Sequence, residues 1–169
     1  MCIRDRAISS GFTFVARSYS YDVRQLKDLI TAAVNHKGLA FIDVLQPCPT
    51  YNDLYTRDWF SGLDQINEET KKPTPRIYNL ADTDYDPVVH YSTIDELNQK
   101  LGQALAKSLE WENKIPTGIF YKNELITPYT KRITDKIPNY LENSAAQQKI
   151  SKNGKPITDI SKLLDSLIV

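Results

Sequence analysis

The 169-residue sequence has little of what marks several large protein classes. Lysine plus arginine and aspartate plus glutamate number 21 each, without a basic block, so the charge pattern does not indicate nucleic-acid or anionic-membrane binding. No apolar run approaches the roughly 18–20 residues that span a bilayer. Two cysteines, one of them Cys2, are too few for a disulfide framework. These absences favour one cytoplasmic domain with its own core.

Several kinds of site motif are also missing. The sequence contains no Gly-rich phosphate loop, no CxxC pair and no carboxylate pair at a useful spacing. Its N-terminus lacks the apolar core of a signal peptide. The first six residues resemble a cloning or assembly scar, so we expect residues 1–6 to be a non-native leader outside the fold.

A short apolar run that stops at a cysteine organises the rest of the chain. Six of the seven residues from Leu39 to Leu45 are apolar, which is typical of a strand covered on both faces in a parallel sheet. Pro47 cannot donate a ladder hydrogen bond, so strand pairing should end there. Cys48 then lies between Pro47 and Pro49 on a stiff backbone.

The residues upstream predict a strand and a helix that lead into this run. Gly11–Arg17 is short, apolar and β-prone. Asp22 is a good N-cap for a helix whose apolar positions recur at helical spacing from Val23 to Val34. Lys37 followed by Gly38 is a typical helix end, with glycine as the left-handed cap.

Strand, helix and strand in this order predict a βαβ unit. The carboxyl ends of parallel strands share one edge, so Arg17–Tyr21 and Pro47–Asn52 should lie together where open α/β sheets bind ligands. Two strands do not make a sheet, and at least two more are expected from elsewhere. The later candidate strand, Thr117–Tyr121, need not join this sheet.

Residues from about 50 to 92 show no sustained period but hold seven of the seventeen aromatic residues: Tyr51, Tyr55, Trp59, Phe60, Tyr78, Tyr85 and Tyr91. Aromatic groups on an irregular segment usually cover another surface, so we expect an arm lying over a missing half or a partner. The alternative is a disordered loop, with its solvated middle at Glu68–Lys72.

Helical and turn signals return after this segment. Thr93 and Glu96 form a capping box for a helix expected to run to about Asn113. Three shorter elements follow: one helical turn near Tyr129–Asp135, a hairpin at Asn153-Gly154, and a final helix capped by Thr158 or Asp159.

The residues alone leave the role of Cys48 open. A lone cysteine is usually a small buried hydrophobe, and neither His36 nor His90, both expected on the surface, offers a nearby base. A zinc or iron–sulfur site needs three or four ligands, and the chain has one plausible thiolate. Two other side chains have simpler expected roles: Arg17 pairs with Asp43 rather than with a phosphate or carboxylate ligand, and Trp111 is a core residue at helical spacing.

A set of longer strings resembles the β subunit of 2-oxoacid:ferredoxin oxidoreductases, a family dependent on thiamine diphosphate. The most specific string is Leu-Gln-Pro-Cys-Pro-Thr-Tyr-Asn at residues 45–52. The others are Thr13–Arg17, Asp22 with Leu26–Leu29, His36–Gly38, Asp43–Val44, Trp111-Glu112, Lys114–Tyr121 and Ile137–Tyr140. The resemblance covers the chain from about Ala7 onward, and the N-terminal half of the family is absent.

The resemblance implies an enzyme that converts a 2-oxoacid to acyl-CoA and CO₂ and passes electrons through a [4Fe-4S] cluster to ferredoxin. It makes Cys48 the fourth cluster ligand and places the other three, with most contacts to thiamine diphosphate and Mg²⁺, in the absent half. Thr50, Tyr51 and Asn52 are turn and packing residues, or alternatively donors to cluster sulfurs. The implied partners are an α subunit in a hetero-oligomer, ferredoxin, coenzyme A and the 2-oxoacid.

These inferences give a layout and two alternatives. We expect an α/β fold with residues 7–52 ending a doubly wound thiamine diphosphate-binding domain, 53–92 as the aromatic arm and 93–169 as a helical and mixed extension. The alternatives are a non-catalytic subunit-interaction module with an inert Cys48 and a thiamine enzyme without a cluster. The chain alone is expected to be inactive and poorly soluble.

Overall fold

A computed structural model of the chain describes residues 3–167. It contains two units, the first ending at Pro128 and the second beginning at Tyr129. The first comprises helices α1 (Ile3–Ser9), α2 (Val23–Asn35), α3 (Arg57–Phe60) and α4 (Ile94–Leu109), strands β1 (Phe14–Tyr19), β2 (Ala40–Leu45), β3 (Ile77–Asn79) and β4 (Ile115–Lys122), and a 3-10 turn (Leu80–Asp82). The second comprises α5 (Tyr129–Lys136), β5 (Ser151–Lys152), β6 (Lys155–Pro156) and α6 (Ser161–Asp165). None of the described helices has the length and apolar character that crossing a membrane requires.

The four strands of the first unit form one mixed sheet in the order β2-β1-β4-β3. β1 and β2 run parallel and are connected by α2, which confirms the predicted βαβ unit and the α/β fold class. In their register Arg17 lies opposite Asp43 and Tyr19 lies opposite Leu45. β4 runs antiparallel to β1, and β3 runs parallel to β4.

Helices pack on both faces of this sheet. α2 packs on the face that carries Phe14 and Ala16, where its Leu29 is buried with them. α1 and α4 pack on the opposite face, where Val15 and Phe120 are fully buried. Because successive residues of a strand point to opposite faces, a central strand covered on both faces is apolar at consecutive positions.

Two strands of the sheet come from the later part of this chain. The predicted strand at Thr117–Tyr121 is confirmed as part of β4, and it joins the sheet, a point that the sequence leaves open, because β4 pairs with β1 from Gly118 to Lys122. The Asn123 N–H extends this contact by donating to the Thr13 carbonyl at 2.8 Å. The pairing joins residues far apart in sequence, and local patterns give no signal for it.

Among residues 3–167, β2 is the edge strand of the sheet, and the expected cover on both faces is found in part: Phe41 packs on the α1 and α4 side, and Ala40 and Ile42 pack on the α2 side. Its residues are half-buried except Val44, which is exposed, whereas β1 is buried at all six positions. Among residues 3–167, β2 pairs with β1 alone. An apolar strand sequence indicates that both faces of the strand can be buried. It does not indicate which segment of the chain packs on each face.

α2 begins as predicted and ends differently. The Asp22 carboxylate accepts a hydrogen bond from the Gln25 N–H at 3.0 Å and so caps the helix. The helix stops at an extended His36, and Gly38 is not the left-handed cap that the sequence predicts. Glycine is required at 38 for a different reason, since a Cβ there would collide with the hydroxyl of Thr13 and the ring of His36.

The segment expected to be an irregular arm, residues 53–92, packs in part on the sheet of its own chain. It contains α3, β3 and the 3-10 turn, and Phe60, Leu80 and Val89 are buried. Elements of three or four residues are too short to show a period in sequence, which explains why the pattern looks irregular. Contact of this arm with another surface stays a prediction.

α4 has the predicted start and an earlier end. The Thr93 hydroxyl accepts from the Glu96 N–H at 3.4 Å, while the Glu96 carboxylate accepts from N–H groups of the preceding loop. The helix ends at Leu109 instead of about Asn113. Glu112 has a φ of 64°, in the left-handed region that a right-handed helix cannot include.

Residues 3–6 belong to the fold, which corrects their exclusion as a leader. They lie in α1, where Arg4 is buried with 1 % of its surface exposed. The Arg4 guanidinium donates to Asp43 at 2.7 Å and to the Ser108 carbonyl at 2.6 Å. Cys2 lies outside the described residues, and the non-native origin of the leader stays a prediction.

The second unit consists of short elements. α5 and the β5–β6 hairpin confirm the predicted helical turn and hairpin, and Asn153 and Gly154 have the positive φ values that the tight turn needs. α6 confirms the predicted final helix, and Asp159 accepts from the Ser161 N–H at 2.9 Å. None of residues 129–161 and 164–167 is buried.

Candidate functional site

The carboxyl ends of β1 and β2 lie side by side, and Cys48 follows shortly after β2. Tyr19 pairs with Leu45 at the strand ends, and the Ser20 N–H donates to the Leu45 carbonyl at 2.8 Å. The expectation that both strand ends share one edge is confirmed. Cys48 therefore lies where ligands bind in open α/β sheets.

Cys48 lies in a short loop that closes on itself. The Asn52 N–H donates to the Cys48 carbonyl at 2.8 Å, and the Asn52 side-chain oxygen accepts from the N–H groups of Leu54 and Tyr55. Asn52 is thus a turn residue, one of the two roles considered for it. Thr50 and Tyr51 are exposed, Tyr51 at 92 %. The loop fixes the Cys48 backbone through its own contacts.

The Cys48 thiol is free and half-buried. Within residues 3–167 no three or more His, Cys, Asp or Glu side chains form a group that could hold a metal ion. A metal site that used Cys48 would therefore need further ligands from outside this range. Iron–sulfur clusters allow this, because their ligands commonly come from distant parts of a chain.

Two hydroxyl groups at this edge are buried without a hydrogen-bond partner among residues 3–167. They belong to Tyr19, which is 9 % exposed, and to Ser20. Burial raises the pKa of Tyr19, so its hydroxyl keeps the proton at neutral pH. An unsatisfied buried hydroxyl costs about 1–3 kcal/mol. The edge therefore suits a further group that accepts hydrogen bonds, such as an anionic sulfur.

Aromatic rings fill the space between β1 and the segment that follows Cys48. The Phe60 ring lies 5.0 Å from the Tyr19 ring and 5.0 Å from the Trp59 ring. The ring centre of Trp59 lies 4.6 Å from that of Tyr55 and 6.2 Å from that of Trp111. Trp111 follows the end of α4, which corrects its expected place on a helix. These five residues, Tyr19, Tyr55, Trp59, Phe60 and Trp111, form an aromatic cluster at the carboxyl end of β1.

Arg76 is a structural residue of this region that sequence reasoning missed. It is 5 % exposed and donates to both carboxylate oxygens of Asp64, at 2.6 and 2.7 Å, and to the Trp59 carbonyl at 2.6 Å. Its guanidinium lies 4.4 Å from the Trp59 ring centre. The hydrogen bonds from Arg76 lower the pKa of Asp64. In the sequence, the one feature that could have pointed to Arg76 is its position directly before the short strand β3.

The predicted pair of Arg17 and Asp43 is confirmed. Arg17 donates through Nε at 2.9 Å and through a terminal nitrogen at 2.7 Å to the same Asp43 oxygen. The pair connects β1 to β2 two residues before their carboxyl ends. The Arg17 guanidinium also lies 5.5 Å from the Trp111 ring centre, which ties the aromatic cluster to the sheet.

The two histidines differ in position. The expectation that His36 lies on the surface is wrong: its Nε2 is 2.7 Å from the Thr13 hydroxyl and its Nδ1 is 3.5 Å from Glu124. Burial lowers the pKa of His36, and Glu124 opposes this effect. His36 lies near the amino end of β1, away from the Cys48 edge. His90 is exposed as predicted and contacts Asp86 at 2.9 Å.

Comparison with known proteins identifies relatives of the chain. A family model for the C-terminal region of the pyruvate ferredoxin oxidoreductase beta subunit matches residues 48–136, beginning at Cys48. The chain is 46 % identical over 159 residues to the 2-oxoacid:ferredoxin oxidoreductase subunit beta of Saccharolobus solfataricus. It is 52 % identical over 160 residues to the corresponding subunit of Sulfolobus sp.. Each match covers 94 % of this chain and 47 % of the relative.

A third relative is subunit beta of 2-oxoacid:ferredoxin oxidoreductase 1 from Aeropyrum pernix, 44 % identical over 154 residues, or 89 % of this chain and 44 % of the relative. The chain thus spans about half the length of the curated relatives it matches.

A solved structure shares the fold. It is the 2-oxoglutarate:ferredoxin oxidoreductase from Magnetococcus marinus with 2-oxoglutarate, coenzyme A and succinyl-CoA bound, with a TM-score of 0.57 and 20 % identity. The match covers 100 % of this chain and 45 % of that one. The family model, which covers more than half of the chain, and the three curated relatives show that the chain belongs to the 2-oxoacid:ferredoxin oxidoreductase β-subunit family.

Proposed function

We propose that this chain is part of a β subunit that takes part in the oxidative decarboxylation of a 2-oxoacid to acyl-CoA and CO₂, with electrons passed through a [4Fe-4S] cluster to ferredoxin. The observation that carries the proposal is the position of Cys48. Cys48 is free and half-buried, and it follows the carboxyl end of β2, next to which β1 ends in Tyr19. The hydroxyls of Tyr19 and Ser20 are buried without a partner among residues 3–167.

Cys48 is the residue of this chain that would hold the cluster, which when bound accepts and releases single electrons. The other ligands would come from the part of the subunit that this chain does not span. Pro47 and Pro49 restrict the backbone on both sides of Cys48, so the thiol needs little reorganisation to bind. The aromatic cluster would keep water away from the site, and exclusion of water affects the reduction potential.

Most contacts to the other cofactors would lie outside this chain, as the family resemblance implies. Thiamine diphosphate with Mg²⁺ supplies the group that stabilises a carbanion during decarboxylation of a 2-oxoacid. The chain contributes the sheet edge and the Cys48 loop, and the Arg17–Asp43 pair holds the two strands in register beside that loop. The subunit would work in the cytoplasm in a hetero-oligomer with an α subunit, with coenzyme A and ferredoxin as acceptors.

The test is Cys48→Ser in the full-length subunit, purified together with its α subunit. Loss of a ligand should lower the iron content and reduce electron transfer to ferredoxin about tenfold or more. Thr50→Ser is the matched control, because it lies in the same loop, is exposed and also leaves a serine. The control should keep the iron content and activity of the unaltered enzyme.

The same measurement separates the alternatives. Full iron content and full electron transfer in Cys48→Ser would show that Cys48 is inert, and the cluster assignment would be lost. If the unaltered enzyme decarboxylated its 2-oxoacid but contained no iron, a thiamine enzyme without a cluster would be favoured. If the unaltered subunit assembled with its partner but the complex neither bound iron nor reacted, the interaction module would be favoured.

A further inference from the structure

The Tyr19 hydroxyl is a buried polar group at the carboxyl edge of the sheet, and no described residue forms a hydrogen bond with it. Tyr19 is the last residue of β1, in the centre of the sheet, and is 9 % exposed. Its hydroxyl has no hydrogen-bond partner among residues 3–167. Ser20 shares this property but is only half-buried as a residue, so Tyr19 carries the argument.

The Tyr19 side chain is enclosed by both ends of the segment that carries Cys48. Leu45, which precedes the loop, packs on the buried cluster of Tyr19, Phe60 and Ile115. Phe60, which follows the loop in α3, has its ring centre 5.0 Å from that of Tyr19. Leu45 lies opposite Tyr19 in the register of β1 and β2, and Cys48 follows Leu45 by three residues, a span of at most about 11 Å of extended chain.

The chemistry of the hydroxyl indicates what it would meet. A neutral phenol can donate one hydrogen bond, and burial without an acceptor is unfavourable. The charged groups near Tyr19 are Arg57 and Asp58 of α3, and neither forms a hydrogen bond to it. An acceptor that arrives with the assembled site would satisfy the group. Thiolate and sulfide sulfurs are such acceptors, and hydrogen bonds to them set cluster potentials.

We propose that the Tyr19 hydroxyl donates a hydrogen bond to a sulfur of the cluster at Cys48, either a sulfide or the Cys48 thiolate, and so raises the reduction potential of the cluster. The inference rests on the proposed function. The physical reason is that a reduced cluster carries one more negative charge, so a donor stabilises the reduced form more than the oxidised form. Tyr19 tunes the cluster and is not a ligand.

The experiment is Tyr19→Phe in the full-length subunit assembled with its partner. The change removes one oxygen and keeps the ring, so the contacts with Phe60 persist. Iron content should stay at the level of the unaltered protein. In a redox titration followed by electron paramagnetic resonance, the equilibrium constant for cluster reduction should fall about tenfold, which is about 59 mV towards lower potential for one electron.

Tyr21→Phe is the matched control. The ring centre of Tyr21 lies 5.5 Å from that of Tyr19, but Tyr21 is largely exposed. It should leave the potential unchanged. The iron-free Tyr19→Phe protein should melt at the same temperature as the iron-free parent or higher, because its hydroxyl has no described partner to lose. A lower melting temperature there would point to a structural role and overturn the proposal.

The outcomes separate this inference from the function on which it rests. An unchanged potential in Tyr19→Phe, together with iron loss in Cys48→Ser, would overturn the role of Tyr19 and leave the cluster assignment standing. Loss of iron in Tyr19→Phe would also overturn it, because a tuning donor is not needed for assembly. Full iron content in Cys48→Ser would overturn both the cluster assignment and the role of Tyr19.

Discussion

The two units of this chain use their apolar residues in opposite ways. In the first unit Phe14, Val15 and Phe120 have no exposed surface. In the second unit Ile150 is 87 % exposed, and Leu167 is also strongly exposed. Both units contain helices and strands with defined caps and turns. Local structure is therefore similar in kind, and the difference lies in whether elements distant in sequence pack together.

The comparison shows what each unit can provide. The first unit pairs strands from both ends of its sequence, and this pairing creates buried faces and one edge where strand ends, a thiol and aromatic rings meet. The second unit has helices of eight and five residues and a two-stranded hairpin, which are too short to form a stable core in isolation. A site with fixed geometry is therefore expected in the first unit.

The largest expected effect is on the core of the first unit. Phe120→Ala should lower the free energy of unfolding by about 3–5 kcal/mol, because it leaves a cavity between the sheet and α4. Urea unfolding of the full-length subunit, followed by tryptophan fluorescence, measures it. Both tryptophans, Trp59 and Trp111, lie in the first unit.

Ile150→Ala is the matched substitution in the second unit and should change the free energy of unfolding by no more than about 0.5 kcal/mol. A cost for Ile150→Ala similar to that for Phe120→Ala would break the comparison. It would mean that the apolar residues of the second unit are buried in the full-length subunit.

A smaller difference is expected between the ion pairs of the two units. Asp43→Ala removes the carboxylate that the buried Arg4 and Arg17 share, and should cost about 3 kcal/mol in unfolding free energy. Asp135→Ala removes an exposed pair with Lys131 and should cost about 0.5 kcal/mol or less. The same urea experiment compares them. Equal costs would contradict the distinction between buried and exposed charge.

The smallest effect is a pH dependence confined to the first unit. Burial holds the pKa of folded His36 below its ordinary value, so the unfolded chain takes up the proton first as the pH falls. The stability that neutral His36 contributes is present above about pH 6.5, the unfolded value, and is lost as the pH falls towards the folded value.

Unfolding free energies at pH 7.5 and pH 5.5 should therefore differ more in the parent protein than in His36→Gln. Both histidines of the chain lie in the first unit, so hydrogen exchange of the β5–β6 hairpin amides, corrected for intrinsic rates, should not follow this transition. A larger pH effect in His36→Gln than in the parent would contradict the buried, neutral His36.

Most local elements could be predicted from particular residues. The Asp22 carboxylate caps α2, Thr93 caps α4, and Asn153-Gly154 makes the hairpin turn, because each signal acts within a few residues of itself. The Arg17–Asp43 pair was also predictable, since a charge on an apolar strand needs a partner on its neighbour.

Other features could not be read locally. The burial of His36 depends on Thr13 and Glu124, which belong to separate parts of the chain. The role of Arg76 depends on Asp64 and Trp59, and neither partner stands at a regular spacing from it. Such contacts are set by how the loop between β2 and β3 folds back, which has no periodic signal.

The amino-acid sequence was enough to predict the βαβ unit, the end of strand pairing before Pro47, the loop position of Cys48 and the family to which the chain belongs. It did so because turn, cap and strand preferences are properties of short stretches. The folded structure was needed to show that β4 pairs with β1, that β2 pairs with β1 alone among residues 3–167 and that Tyr19 is buried where β1 ends. Those outcomes depend on which distant surfaces exclude water from each other, and that is a property of the folded chain as a whole.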